Sequence, residues 1–381
     1  MNPTDLRIQD PKTRTYLGSP SLVRAPDGAL VATHDYFGAG CPRNHEREEH
    51  LTSVYRSEDG GRSWRSVTHL SNAYWGTLFT HMGALYHLGV SQQYGSIVIR
   101  RSDDGGHTWT HPADEKSGWL FTGGVYHADP NYHGAPVPVL VHGGRLYRAF
   151  ENCLGTVWGE GFASFMISAD ENADLLLASS WTKSNEVRFP ASVAPAGTKI
   201  IRDWGWLEGN AVAAPDGSMW NLLRLHSWMP GKAALLSLSP DGNELRFDAS
   251  SGFIDFPGHH AKFTVRRDPA TGAYLSLVNA TPTDPRYAGR NALSLSASAD
   301  LRHWTVVHEM LRDDLGLSPE ESLKRTGFQY VDWQFDGEDL IYLVRAAYDG
   351  APNFHDSNRI RFYRLEKFRS LLASAGLPRG S

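Results

Sequence analysis

The stretch FQYVDWQFDGEDLIYLV, residues 328–344, reads as two apolar strands joined by a tight turn at Asp336-Gly337. Primed hairpin turns need positive φ at their centre, which Asp-Gly supplies, so the stretch predicts a β-hairpin. The same phrase recurs as SPSLVRAPDGALVATHD (19–35), GTLFTHMGALYHLGV (76–90) and APVPVLVHGGRLYRAFE (135–151). It returns again as GNAVAAPDGSMWNLLRL (209–225) and KFTVRRDPATGAYLSLV (262–278).

The turn glycines Gly28, Gly83, Gly144, Gly217, Gly272 and Gly337 fall 55 to 73 residues apart. Six copies of one unit at that period predict radial repetition: an all-β, six-bladed β-propeller filling residues 1–381 as a single domain. The blade hairpins are expected near 18–35, 76–90, 133–151, 208–226, 262–279 and 328–346. After most copies a third strand ends in a Ser-x-Asp turn, clearest in SEDGGRSW (57–64) and SDDGGHTW (102–109). There Asp accepts backbone N–H groups and Trp packs between sheets, a structural role. A short helical insert, HEMLRDDLGLSPEESLKRTG (308–327), is expected before the last blade. The strand RIRFYRLEKF (359–368) is expected to close the ring with the N-terminal segment.

Charged residues make up 21% of the chain and the formal net charge is −5, which excludes the broad basic face that nucleic acid requires. With only Cys41 and Cys153 there is no disulfide framework and no cysteine spacing for a metal. No run approaches the roughly 18 apolar residues of a membrane span. The polar start MNPTDLRIQDPKTRTY (1–16) lacks an apolar signal region. The expected location is cytoplasmic, or secreted or periplasmic if the chain is a mature form. No dinucleotide fingerprint, P-loop or zinc signature occurs, so neither cofactor nor metal is expected. Nothing signals an oligomeric state.

In a propeller the first strand of each blade lines the axis, and its leading end faces one mouth. That position is held by Ser19, Trp75, His133, Glu208, Lys262 and Tyr330. Polar and aromatic groups at one shared rim mark it as the site. Further candidates are Asn210 and Asp332 on those strands and Asp35 at the base of loop 36–50. That loop, read as a solvated charged one, carries His45, Glu46, Glu48, Glu49 and His50. His355 follows in PNFHDSNR (352–359), and His259 and His260 in PGHHAKF offer rim contacts. Strand alternation places Tyr330 and Asp332 on one face, so Asp332 is expected to orient Tyr330 or touch substrate.

Taken together, the pattern resembles the sialidase (neuraminidase) superfamily of Asp-box propellers. That resemblance implies that Glu208 polarises Tyr330, which attacks an anomeric carbon. It also implies that Arg224, on the strand after Glu208, and Arg290, before the fifth Ser-x-Asp turn, grip a carboxylate. Two departures stand out: Gly18-Ser19 occupies the place of the family's first arginine, and loop 36–50 has no clear match for its aspartic acid.

Three functions fit these residues. The first is a sialidase-like glycoside hydrolase acting on an acidic, ulosonic or uronic sugar at the end of a glycan. The second is a polysaccharide lyase, with His133 or Tyr330 as base and Lys262, Arg224 and Arg290 neutralising a uronate. The third is a non-catalytic glycan-binding propeller that uses Trp75 and other tryptophans as stacking faces. In each case the expected partner is an acidic oligo- or polysaccharide, with no nucleic acid and no membrane.

Overall fold

A computed structural model describes residues 3–194, 203–258, 260–280 and 289–375. Six antiparallel sheets follow one another along the chain, each starting at an inner strand and meandering outward. Blade one runs through Tyr16–Arg24, Leu30–Phe37, Leu51–Ser57 and Arg65–Ser71. The first two strands of the others are Tyr74–His81 with Ala84–Val90, Gly205–Ala213 with Met219–His226, and Thr264–Arg267 with Tyr274–Val278. Blade six begins with Gly327–Asp336 and Asp339–Ala347, the hairpin quoted at the outset.

Blade three departs from the pattern. Its inner strand is split into Tyr132–His133 and Leu140–His142, both paired with Arg145–Cys153. The intervening Pro136 and Pro138 have no N–H to donate, which breaks the ladder between the pieces. The ring closes through the N-terminus: Thr4–Ile8 pairs antiparallel with Arg359–Leu365 and becomes the outer strand of blade six.

Apolar faces of adjacent sheets interlock between the blades. Trp206 packs with blade-three and blade-four residues, and Trp333 with blade-five and blade-six residues, both without solvent exposure. Each fully buried Leu, Val or Phe contributes roughly 1.5–3 kcal/mol. At the outer turns Ser57 Oγ donates to Asp59 Oδ1, while Asp59 accepts from the Ser63 backbone and hydroxyl; Trp64 then packs on Phe362. Ser102, Asp104 and Thr108 repeat the arrangement one blade on.

The helical insert is shorter than expected. Residues 308–312 continue the outer strand Trp304–Arg312, and only Pro319–Arg325 is helical. Ser318 caps that helix by accepting the Glu321 amide, and Pro319 fits its first turn. The segment HEMLR stays extended because it pairs with Ala292–Ser298. No described helix is long and apolar enough to cross a membrane.

Candidate active site

One backbone device builds the mouth of the channel. The inner-strand register breaks between Tyr74 and Thr77, between Leu207 and Asn210, and between Gln329 and Asp332. Within these breaks Trp75, Glu208 and Tyr330 all adopt left-handed backbone, with φ of 48°, 57° and 52°. Bulky residues rarely hold that conformation, and such strain concentrates where a side chain must be aimed. Each bulge thus turns one side chain out of the sheet alternation and toward the axis. In blade one the equivalent break falls on Gly18-Ser19.

These residues line a cavity of about 180 Å³ together with Ser19 and His133. Five of the six rim positions read from the repeat therefore meet at one site. Glu49 of loop 36–50 and His355 join them, as do Phe37, Trp158 and Arg345, which the sequence pattern does not single out. Lys262 does not reach the cavity. Its ammonium turns down the channel to Thr264 Oγ1 at 2.6 Å and the Val331 carbonyl at 2.9 Å, and burial pulls it down to about 8.

Glu208 and Arg224 form a buried ion pair of 2.7 Å. Burial alone would raise the Glu208 carboxyl. The Arg224 guanidinium, with lesser help from His133 and the Tyr330 hydroxyl, instead holds it below its ordinary value. Arg224 spends its second amino group on the His260 carbonyl at 2.7 Å, and Arg290 bonds Gln329 Oε1 and the same carbonyl. Both arginines stand behind the lining rather than in it.

Arg345 occupies the place from which an anion can be gripped. It sits on the second strand of blade six, stacked 4.7 Å from the Tyr330 ring and 4.4 Å from Phe37. Ser357 Oγ takes its Nε, and His355 takes one Nη through its carbonyl at 2.8 Å. Its other Nη makes no hydrogen bond among the described residues. A signal for it existed: Arg345 follows Tyr330 by fifteen residues, much as Arg224 follows Glu208 by sixteen.

Asp35, on the second strand of blade one, is almost fully buried just outside the cavity lining and accepts the Trp75 amide at 3.1 Å. Burial pushes its carboxyl up to about 7 despite that hydrogen bond and the attraction of Arg345. A Cβ on Gly18 would come within 3.1 Å of the Asp35 Cγ. The side chain missing at Gly18 leaves room for this acid.

Three expectations are corrected by the geometry. Asp332 neither orients Tyr330 nor faces the cavity. The bulge breaks the alternation, and its carboxylate binds Ser21 Oγ, the Leu22 amide and Arg266 instead, tying blades one, five and six. Asn210 is likewise structural, accepting the Val265 amide at 3.0 Å with no exposure. Loop 36–50 is not a solvated charged loop. Glu48 pairs with His127 at 2.5 Å, Glu46 accepts the Tyr126 amide, and Glu49 takes Tyr74 Oη and Arg43. Of the five loop residues named above, only His45 keeps the expected exposure, at 76% of its side chain, and it is not part of the cavity lining. His259 lies outside the described residues.

A larger hollow of about 580 Å³ opens at the other end of the inner strands. Its charged groups are spent: Arg266 on Asp332 and the Trp333 carbonyl, Arg267 on the Gly272 carbonyl, and Asp268 on Arg369. The candidate acid and base groups gather instead at the smaller cavity.

No protein-family model matches the chain, and no curated protein matches its sequence. Solved structures do match in shape. An α-L-arabinanase of Penicillium chrysogenum complexed with arabinobiose superposes with a TM-score of 0.58 at 14% identity, covering 96% of this chain and 98% of that one. A Hadza microbial sialidase gives 0.59 at 14% identity over 96% and 68% of the two chains. The Trypanosoma rangeli sialidase, in complex with the inhibitor DANA, gives 0.59 at 13% identity over 97% and 57%. At such identities the likeness is one of fold: the chain is a six-bladed propeller of the architecture that these sialidases and arabinanases share.

Proposed function

We propose that the protein is a retaining glycoside hydrolase that removes a terminal acidic sugar from a glycan. The observation that carries this reading is the cluster at the rim, where Tyr330 adjoins a Glu208 carboxylate kept ionised by Arg224. In the first step the Tyr330 oxygen bonds to the anomeric carbon while Glu208 accepts the phenol proton. The bond to the leaving oxygen breaks and Asp35, protonated near neutral pH, supplies the proton that oxygen needs. Water then attacks the same carbon and gives its proton to Asp35, the C–O bond to Tyr330 breaks, and Glu208 returns the proton to the phenol. A phenol paired with a base suits an anionic substrate, since a carboxylate nucleophile would be repelled.

Arg345 is the residue proposed to hold the substrate carboxylate, through the amino group that makes no hydrogen bond among the described residues. A cavity of about 180 Å³ is below the range of drug-sized ligand pockets and fits a single ring, which supports cleavage at a chain end. The propeller glycosidases among its structural neighbours favour hydrolysis. β-Elimination is less well served: Lys262 is bonded beneath the floor, and Arg224 and Arg290 stand behind the lining.

A panel of acidic and neutral glycans, read for reducing ends and for near-ultraviolet absorbance, tests the proposal. New reducing ends without absorbance are expected, and Tyr330→Phe is expected to lower kcat by about 10²–10⁴-fold. An unsaturated, absorbing product would transfer the site to a lyase. Sialoside cleavage that survives Tyr330→Phe would remove the tyrosine from the mechanism.

A further inference from the structure

We propose that Glu151 is a positioning residue, a clamp that fixes the Glu208-Gly209 bend and the His133 ring relative to each other. The catalytic part of this inference rests on the reading of Tyr330 and Glu208 given above. Glu151 lies on the second strand of blade three, opposite His133 in the ladder, and has no solvent exposure. Its two oxygens serve different blades. Oε2 meets His133 Nδ1 at 3.1 Å, and Oε1 accepts the Gly209 amide of blade four at 3.2 Å.

The second contact falls where the backbone most needs it. Gly209 follows Glu208 inside the register break, so its amide has no ladder partner and would otherwise be a buried orphan donor. The left-handed Glu208 persists only where its surroundings over-determine it. On the other side of the bend, a Cβ on Gly209 would come within 2.1 Å of Asn221 Oδ1. Asn221 is itself anchored to Ser164 Oγ at 2.9 Å. Glu151 and Asn221 thus hold the bend between two blades.

A neutral acceptor would satisfy the Gly209 amide, whereas a buried carboxylate is costly unless it is paired. A carboxylate offers one oxygen to that amide and the other to His133, and Arg148 is near enough to attract it. His133 stands edge-on to Trp75 with ring centres 4.3 Å apart, and it adds to the attraction that keeps Glu208 ionised. One carboxylate therefore sets the direction of the base and the wall beside it.

Two substitutions separate these roles. Glu151→Gln retains a carbonyl for the Gly209 amide and removes the charge, whereas Glu151→Ala removes both. Hydrogen exchange of the peptide 205–213, read by mass spectrometry on the full chain, needs no turnover. Exchange is expected to quicken by about tenfold or more in Glu151→Ala and to stay at the parent rate in Glu151→Gln. On an acidic glycan that the parent cleaves, Glu151→Ala should lower kcat by about 10²-fold at nearly constant KM, with Glu151→Gln recovering most of it. Unchanged exchange in Glu151→Ala overturns the clamp, whatever the activity. An inert parent protein overturns the hydrolase reading and leaves the exchange result to decide the clamp. Should Glu151→Ala fail to fold, Glu151→Asp takes its place, and its shorter side chain must still quicken exchange at 205–213 or the clamp is wrong.

Discussion

The Arg224 guanidinium meets the Glu208 carboxylate at 2.7 Å, with both side chains almost wholly removed from solvent. Breaking a buried pair by deleting one partner leaves an uncompensated charge, at a cost of about 3–5 kcal/mol. Arg224→Met is therefore expected to lower stability by that amount in chemical denaturation. Because the folded Glu208 carboxyl lies below its ordinary value of 4.5, its contribution is present above that pH and lost as pH falls through the depressed value. The stability gap between parent and Arg224→Met should accordingly narrow as the pH falls below that ordinary value. A gap that widens there would contradict the pairing.

Asp35 titrates with the opposite sign. Its carboxyl is raised to about 7, so the folded state holds a proton that the unfolded chain releases near 4. Stability from this group is full in acid and is lost as pH climbs from about 4 to about 7. Asp35→Asn, which never ionises, should be more stable than the parent at pH 8 by at most about 4 kcal/mol and no different at pH 4. The same substitution should abolish the basic limb near pH 7 in the rate profile along with most of kcat. A stability difference independent of pH would show that Asp35 is ionised in the folded protein.

On the proposed reading, Arg345 is expected to separate an acidic substrate from a neutral one. Arg345→Lys keeps a positive charge but loses the planar fork, and one charge-assisted contact is worth about 1.5–3 kcal/mol. KM for an acidic glycan should rise by about 10- to 100-fold, while a neutral analogue of the same linkage changes little. Equal losses on both substrates would assign Arg345 to packing over Tyr330 and Phe37 alone.

Asp332 is expected to behave as a structural residue. Asp332→Ala removes acceptors for Ser21, Leu22, Arg266 and Trp333 at once and leaves Arg266 without its counter-charge. A loss of about 3–5 kcal/mol is expected, with KM unaltered in the fraction that remains folded. A selective rise in KM without destabilisation would return Asp332 to the site.

Much of the architecture was legible because the repeat writes it out. Asp-Gly and Gly-Gly turns recur at blade spacing, and the leading residue of each inner strand fell at the cavity in five blades of six. Lys262 is the exception because a long, flexible side chain at a rim position can turn inward to a carbonyl, which no spacing reveals. Asp332 was misplaced because strict alternation was carried across a bulge, and a bulge leaves no fixed mark on residue types. The strand 304–312 was misread in part because Glu, Met and Leu favour helix locally while pairing with 292–298 overrides that preference. Arg345 was within reach, since its offset from Tyr330 repeats the offset of Arg224 from Glu208. Glu151 was not, because its meaning depends on an amide 58 residues away in the next blade.

The pairing of Thr4–Ile8 with Arg359–Leu365 has a consequence for how the protein is made. A nascent chain can build blades one to five in order, but the sixth must await its own final strand and then recruit Thr4–Ile8, made before any blade. Tyr330 and Arg345 both belong to that sixth blade. The half of the cavity formed by Glu208, His133 and Trp75 can therefore exist before its opposing half does. A complete cavity becomes a property of the finished circle, acquired only when Thr4–Ile8 and Arg359–Leu365 have found each other.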